Sequence, residues 1–254
     1  MKGVYILKKS ISIVMLVYNE AEIIEKVIRD YYNNVFVKLD DAEFIVAEDG
    51  STDGTKEILD RLSKELDIRL VSGTARKGYV QAYKDSIKLP EKNYIFFTDS
   101  SGKHYPEDFW DMYPYLDKYD IVSGYKVKRK DPLYRIVMTR VFNALVNIYF
   151  GTNFKDIDSG FKIIRTDAMK DILNDNWICT DLISFENMIR LSYRGYTLKE
   201  VPVRHRPREN GPSRGLPLKK IPKVIKMVLS NFKAVKADAR RCAAKTKVEV
   251  KKKG

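Results

Sequence analysis

Cysteine is scarce in this 254-residue chain: Cys179 and Cys242 stand far apart and form no CxxC or other metal-type spacing. That usage argues against a cysteine-built metal site and suits a reducing cytoplasm. Long apolar runs are missing too, and no stretch reaches the ~18 consecutive apolar residues that a membrane span needs. The opening MKGVYILKKS lacks the apolar core of a signal peptide. No internal repeat and no low-complexity segment precedes the C-terminal tail. The expectation is a cytoplasmic protein, soluble or held peripherally on a membrane face.

What is present suits one large domain and a tail. With 44% hydrophobic side chains the chain can bury a substantial core. The net charge of +13 looks like that of a nucleic-acid binder until its distribution is read. Residues 214–254 hold 14 of the 47 basic side chains and, of the 34 acids, only Asp238 and Glu249, so residues 1–213 are close to neutral. That tail lacks interleaved aromatics and matches no nucleic-acid module, so no nucleic-acid partner is expected. Leu218, Ile221, Val224, Ile225, Val228, Leu229 and Phe232 recur at helical spacing among lysines. Such a pattern is either a membrane-surface helix or a helix packed on the domain with its lysines in water. The expected organisation is a domain over 1–215, a basic amphipathic helix over 216–236, and a disordered basic tail over 237–254.

Within the domain, short β-branched runs alternate with helical patterns. Ser12 to Val17 precedes Ala21 to Asn33, Phe44 to Ala47 precedes Thr55 to Leu66, and Ile68 to Val71 precedes Val80 to Lys88. Tyr94 to Thr98 then precedes a helix over Pro106 to Leu116, and Ile121 to Val122 precedes the long amphipathic segment Leu133 to Phe150. Further strands are expected at Gly160 to Ile164 and Thr197 to Val203, with helices at Asp167 to Leu173 and Leu182 to Tyr193 between them. This alternation predicts an α/β fold with a mostly parallel sheet flanked by helices. Ligands of such sheets bind beyond the carboxyl ends of the strands.

The strand ends are polar. The first runs into Tyr18-Asn19-Glu20 and the second into EDGSTDGT, where Asp49, Ser51, Thr52 and Thr55 supply a turn, a helix cap and a carboxylate toward the crevice. An ordinary capped turn also accounts for Ser51, Thr52 and Thr55. The fourth strand ends in TDSSGKHYPED, and DIDSGFK and RENGPSR follow later.

Together with Arg76-Lys77-Gly78, these six segments over roughly residues 11 to 215 resemble, in order, the motifs of family 2 inverting glycosyltransferases of GT-A fold. Within that family they are similar to the polyprenyl-phosphate sugar transferases, such as dolichol-phosphate mannose synthase. The matching patterns are YNE, DDGSxDGT, a basic-Gly turn, DxDxQxxPE, DxxSGF and RxxGxSK. The resemblance implies a Rossmann-like sheet and a nucleotide-sugar donor gripped by Tyr18, Glu20, Asp49, Ser51, Lys77, Asp99, Arg208, Ser213 and Arg214. It makes Asp99, Lys103 and Arg208 the catalytic candidates.

Departures from the pattern bear on the cofactor. The family's DxD acids help hold a divalent cation beside the diphosphate. Here Asp99 keeps the first acid, Ser101 replaces the second, and Lys103 stands where the subfamily has glutamine. Two readings stay open: Lys103 substitutes for the cation, or Asp99 and Ser101 hold Mg²⁺ or Mn²⁺ with reduced affinity.

For the acceptor, the resemblance points to a polyprenyl phosphate contacted by Lys126, Arg135, Thr139 and Ser159. An ionised phosphate oxygen needs no general base. A glycan or protein hydroxyl would need one, with Asp181 or Glu186 as candidates. A non-catalytic sugar-nucleotide or lipid-phosphate binder with a degenerate metal site is the remaining alternative.

Overall fold

The computed structural model describes residues 9–127, 129, 131–179, 182–207 and 230–244. Seven strands form one sheet: β1 (Ile11–Val17), β2 (Ala42–Glu48), β3 (Arg69–Ser72), β4 (Tyr94–Asp99), β5 (Ile121–Lys126), β6 (Phe161–Arg165) and β7 (Leu198–Val203). Their spatial order is β3-β2-β1-β4-β6-β5-β7. All are parallel except β6, which runs antiparallel to both β4 and β5. The reversal brings the start of β6 to the edge where the parallel strands end.

The helices are α1 (Ile24–Asn34), α2 (Thr55–Glu65), α3 (Tyr79–Ser86), α4 (Phe109–Met112), α5 (Leu133–Phe150), α6 (Thr166–Leu173), α7 (Ile183–Arg194) and α8, over residues 230–244. The helix expected over Pro106 to Leu116 is instead α4 between two 3₁₀ turns, Pro106–Asp108 and Tyr113–Asp117. Pro114 has no N–H to donate and its ring crowds the preceding turn, so a regular α-helix kinks or breaks there, and here it breaks.

Alternation along the strands splits the core into two layers. Val14, Ile45, Ile95, Phe97 and Ile164 face α3, α5, α6, α7 and α8. Ile11, Ile13, Met15, Phe96, Phe161 and Ile163 face α1, α2 and α4. This is the three-layer arrangement that two apolar sheet faces require.

The tail differs most from expectation. Residues 237–244, expected to be disordered, are helical, and Phe232, Val235, Ala239 and Ala243 of α8 are buried. Phe232 stacks on Phe185 of α7 at 5.3 Å and meets Phe150 edge-on at 5.0 Å. For this part of the amphipathic segment, packing on the domain accounts for the apolar face. Residues 216–229 and 245–254 lie outside the described residues. Among the described residues, no helix is long and apolar enough to cross a membrane.

Candidate active site

The strand ends enclose a cleft of about 560 Å³, lined from one side to the other by residues following β2, β1 and β4 and preceding β6. At the β2 end, the buried Asp49 carboxylate accepts the backbone N–H groups of Lys77 and Gly78 at 2.8 and 3.0 Å. Gly50 permits that approach, because a Cβ there would fall 2.4 Å from the nitrogen of Arg76. The outcome sorts the two basic residues of the turn. Lys77 turns its ammonium to Asp85 of α3, 2.8 Å away, whereas Arg76 lines the cleft with its guanidinium 4.2 Å from the Tyr18 ring centre.

Ser51 and Thr55 join the first two loops. Ser51 Oγ accepts Asn19 N–H and Thr55 Oγ1 accepts Glu20 N–H, both at 2.9 Å. Asp53 in turn accepts the Thr55 N–H at the start of α2 at 3.1 Å. These hydroxyls hold the Tyr18-Asn19-Glu20 turn, and Tyr18 and Glu20 line the cleft while Ser51 does not.

The centre of the cleft is Asp99. Its carboxylate packs against Gly160 so closely that a Cβ there would lie 2.5 Å from both oxygens. Burial works to raise the Asp99 carboxyl, but His104, Lys126 and Lys103 more than offset it, leaving it below the ordinary carboxylate value. His104 stacks on Phe161 at 4.9 Å, with Nε2 3.7 Å from Asp99. Burial pushes its imidazole below the usual value, so it is neutral at neutral pH.

Lys103 lines the same wall, held by Arg206. The Arg206 N–H donates to the Lys103 carbonyl at 3.0 Å, and Nε donates to the Gly102 carbonyl at 2.6 Å. Burial, with help from Lys126 and Arg135, lowers the Lys103 ammonium below its ordinary value. Ser101 Oγ is buried with no hydrogen-bond partner among the described residues.

On the β5 and β6 side, Lys126 and Ser159 line the cleft. Arg135 and Thr139 stand one turn apart at the start of α5 and do not line it, although Arg135 is near enough to act on Lys103. Asp158, Lys162 and Ser184, which carry no expected role, also face the space on this side. The Lys162 ammonium is buried and donates to the Ile157 carbonyl at 3.0 Å and to Ser184 Oγ. Burial pulls it down to about 8 against the pull of Asp158, Asp156 and Asp99. A lysine at an inward strand position inside FKIIR was the available signal for this residue.

Glu186 is not free to act as a base. Its carboxylate accepts the N–H groups of Ile178 and Cys179 and pairs with the fully buried Arg190. Asp181, Arg208, Ser213 and Arg214 lie outside the described residues.

The residues here do not by themselves make a resident divalent-cation site. Among the described residues no three acidic, histidine or cysteine side chains converge. Asp99 and Ser101 offer one carboxylate and one hydroxyl, while Lys103 and Lys126 bring two positive charges to the same carboxylate. A hard dication takes about six oxygens, so here most would have to come from water and the donor's phosphates, beside two ammonium groups that repel it.

The fold is that of GT-A glycosyltransferases. Glucosyl-3-phosphoglycerate synthase from Mycobacterium tuberculosis, solved with Mn²⁺, UDP and phosphoglyceric acid, superposes with a TM-score of 0.67 at 19% identity, over 88% of this chain and 78% of that one. By sequence, glycosyltransferase AglJ of Haloferax volcanii is 29% identical over 76% of this chain and 62% of its own length. The dolichyl-phosphate hexose transferase of Haloferax volcanii is 28% identical over 78% of this chain and 83% of its own. The undecaprenyl-phosphate 4-deoxy-4-formamido-L-arabinose transferase of Edwardsiella ictaluri is 24% identical over 80% and 62%. The chain thus spans less than two thirds of two of these three relatives. Residues 12–173 match the model of glycosyl transferase family 2, and the chain belongs to that family.

Proposed function

We propose that this glycosyltransferase moves a sugar from a nucleoside-diphosphate sugar to a polyprenyl phosphate at a membrane surface, with inversion. The observation that carries the reading is the set of cations around Asp99: Lys103 and Lys126 in the cleft wall, with Arg135 beside them at the start of α5. Three positive groups near one carboxylate suit two anionic substrates, a donor diphosphate and an acceptor phosphate. The names of the dolichyl- and undecaprenyl-phosphate transferases among its relatives point the same way.

In this reading the ionised acceptor oxygen attacks the anomeric carbon from the face opposite the diphosphate. The bond from that carbon to the β-phosphate oxygen breaks, and the nucleoside diphosphate departs with the bonding electrons. No proton has to move, so catalysis is alignment and charge neutralisation. Lys103 takes over much of the neutralisation that the family assigns to Mg²⁺ or Mn²⁺, with Arg208 and Arg214 completing it; Ser213 joins the donor contacts. Lys126 and Ser159 hold the acceptor phosphate from the cleft wall, and Arg135 and Thr139 approach it from the start of α5, outside the lining.

Membrane attachment is assigned to α5. Leu133, Val137, Val141, Leu145 and Ile148 are exposed along one side of this helix, and Ile148 is 82% accessible. Contiguous exposed apolar side chains on an amphipathic helix suit an interfacial position, and they begin next to the acceptor cations.

Radiolabelled UDP- and GDP-hexoses, offered with polyprenyl phosphate in anionic vesicles, test the reading. Lipid-extractable label that persists in EDTA is expected. Label on a water-soluble glycan, or binding without transfer, would sink the acceptor assignment. Activity abolished by EDTA and restored by Mn²⁺ would sink the role of Lys103.

A further inference from the structure

Asp158 occupies a position that the DxxSGF pattern leaves open, so nothing in the motif calls for an acid there. It nevertheless lines the cleft, its residue is solvent-exposed there, and no described residue donates a hydrogen bond to its carboxylate. The nearby Lys162 does not consume it, since that ammonium is committed to the Ile157 carbonyl and Ser184 Oγ. What Lys162 does is pin the turn from beneath: Ile157 and Ser159 flank Asp158 on either side, and Ser184 Oγ reaches the carbonyls of both.

The order of the strands gives this carboxylate a place along the donor. Across the sheet the cleft passes Asp49 after β2, Tyr18 and Glu20 after β1, Asp99, Ser101 and Lys103 after β4, then Asp158 and Ser159 before β6. Three inter-strand spacings separate the first group from the last, ~14 Å. An extended nucleoside-diphosphate sugar lying along this line, with its nucleoside at β2 and β1 and its diphosphate at β4, brings its sugar to β6.

We propose that Asp158 is a specificity-determining contact for the transferred sugar, its carboxylate accepting hydrogen bonds from hydroxyls of the ring. The chemistry selects this partner over the others in the cleft. A carboxylate is repelled by a diphosphate or an acceptor phosphate, whereas it offers several acceptor sites to neutral hydroxyl donors. The cleft walls crowd this carboxyl even though part of the residue reaches solvent, and this desolvation, with Asp156 and Asp99 adding to it and Lys162 and Lys126 opposing, pushes it up to about 6. At neutral pH it is still mostly in the ionised, acceptor form. The inference rests on the nucleotide-sugar reading above and adds to it the residue that reads the sugar.

The test is calorimetric titration of the full chain and of D158N and D158A with UDP, UDP-glucose, GDP and GDP-mannose, followed by donor kinetics. The wild type should bind one nucleotide sugar more tightly than its parent diphosphate. Both variants should lose that increment, on the order of 10- to 100-fold for a charged hydrogen-bond acceptor, while binding the diphosphate as the wild type does. The near-isosteric D158N guards against a folding defect in D158A. Unchanged sugar-nucleotide affinity in both variants overturns the inference, as does equal loss for the diphosphate. A fall in kcat alone, with both affinities intact, also overturns it and points to a base for a hydroxyl acceptor. If the wild type binds none of the four ligands, the nucleotide-sugar reading itself fails.

Discussion

Arg190 of α7 reaches Asp238 of α8 at 2.7 Å, and the arginine side chain is completely buried. The same guanidinium contacts Asp175 at 3.0 Å and Glu186 at 2.6 Å, so three carboxylates from separate segments converge on one cation. This pair fastens the C-terminal helix to the domain. Asp175 and Glu186 still compensate Arg190 when Asp238 is removed, so the loss is one charge-assisted hydrogen bond and the tie between the two helices, of a kind worth ~1.5–3 kcal/mol. Asp238→Ala should therefore lower unfolding stability in urea by about 2 kcal/mol, although the residue lies far from the cleft in sequence. Phe232→Ala should cost ~3–5 kcal/mol by opening a cavity against Phe185 and Phe150. Two neutral substitutions would show that α8 does not pack as described.

Gly160→Ala separates site geometry from stability. The new Cβ would collide with the Asp99 carboxylate, the end of a short side chain that can rotate away. The fold should tolerate this, while activity should fall about 100-fold because the central carboxylate is displaced. Wild-type activity in a folded Gly160→Ala variant would argue against a role for Asp99.

Arg76 and Lys77 should respond differently to truncation. Arg76→Ala removes the guanidinium over Tyr18 and should weaken donor-nucleotide affinity about 10-fold. Lys77→Ala removes an exposed pair with Asp85, of a kind contributing ~0–1 kcal/mol, and should leave nucleotide affinity unchanged. Nucleotide titrations on both variants check the contrast, and a larger loss for Lys77→Ala would reverse the assignment.

Lys162 sets a pH dependence of stability. Its ammonium is pulled to about 8 in the folded protein from an ordinary 10.5. Between those values the unfolded chain binds the extra proton, so stability rises as pH rises through the window and is lost as pH falls through about 8. The melting temperature of the wild type, taken relative to Lys162→Met, should climb from pH 7.5 toward pH 9.5. A flat or falling difference would mean that the lysine is solvated in the native state.

Much of the architecture was legible because it rests on local rules. Period-2 apolar runs marked the strands, period-3.6 runs marked the helices, and alternation between them predicted the mostly parallel sheet. The polar strand ends, Tyr18 to Glu20, Asp49 and the Asp99 segment, announced the cleft, and the order of the motifs announced the family. Pro114 broke a helix that the apolar spacing favoured.

Facts that depend on three-dimensional direction were not legible. Sequence assigned the donor to Lys77, but the left-handed Gly50 and the Asp49 hydrogen bonds orient the turn so that Arg76 faces the cleft. Lys162 and Asp158 emerged only once the reversed β6 brought its first residues to the parallel strands' carboxyl edge. Charge along the chain suggested a loose basic tail, whereas Arg190, distant in sequence, supplies the partner that fixes Asp238 and with it α8. The motifs that suggest a diphosphate grip are local in sequence. Which side chains form that grip depends on packing between segments scores of residues apart, where one turn or one reversed strand decides what a side chain meets.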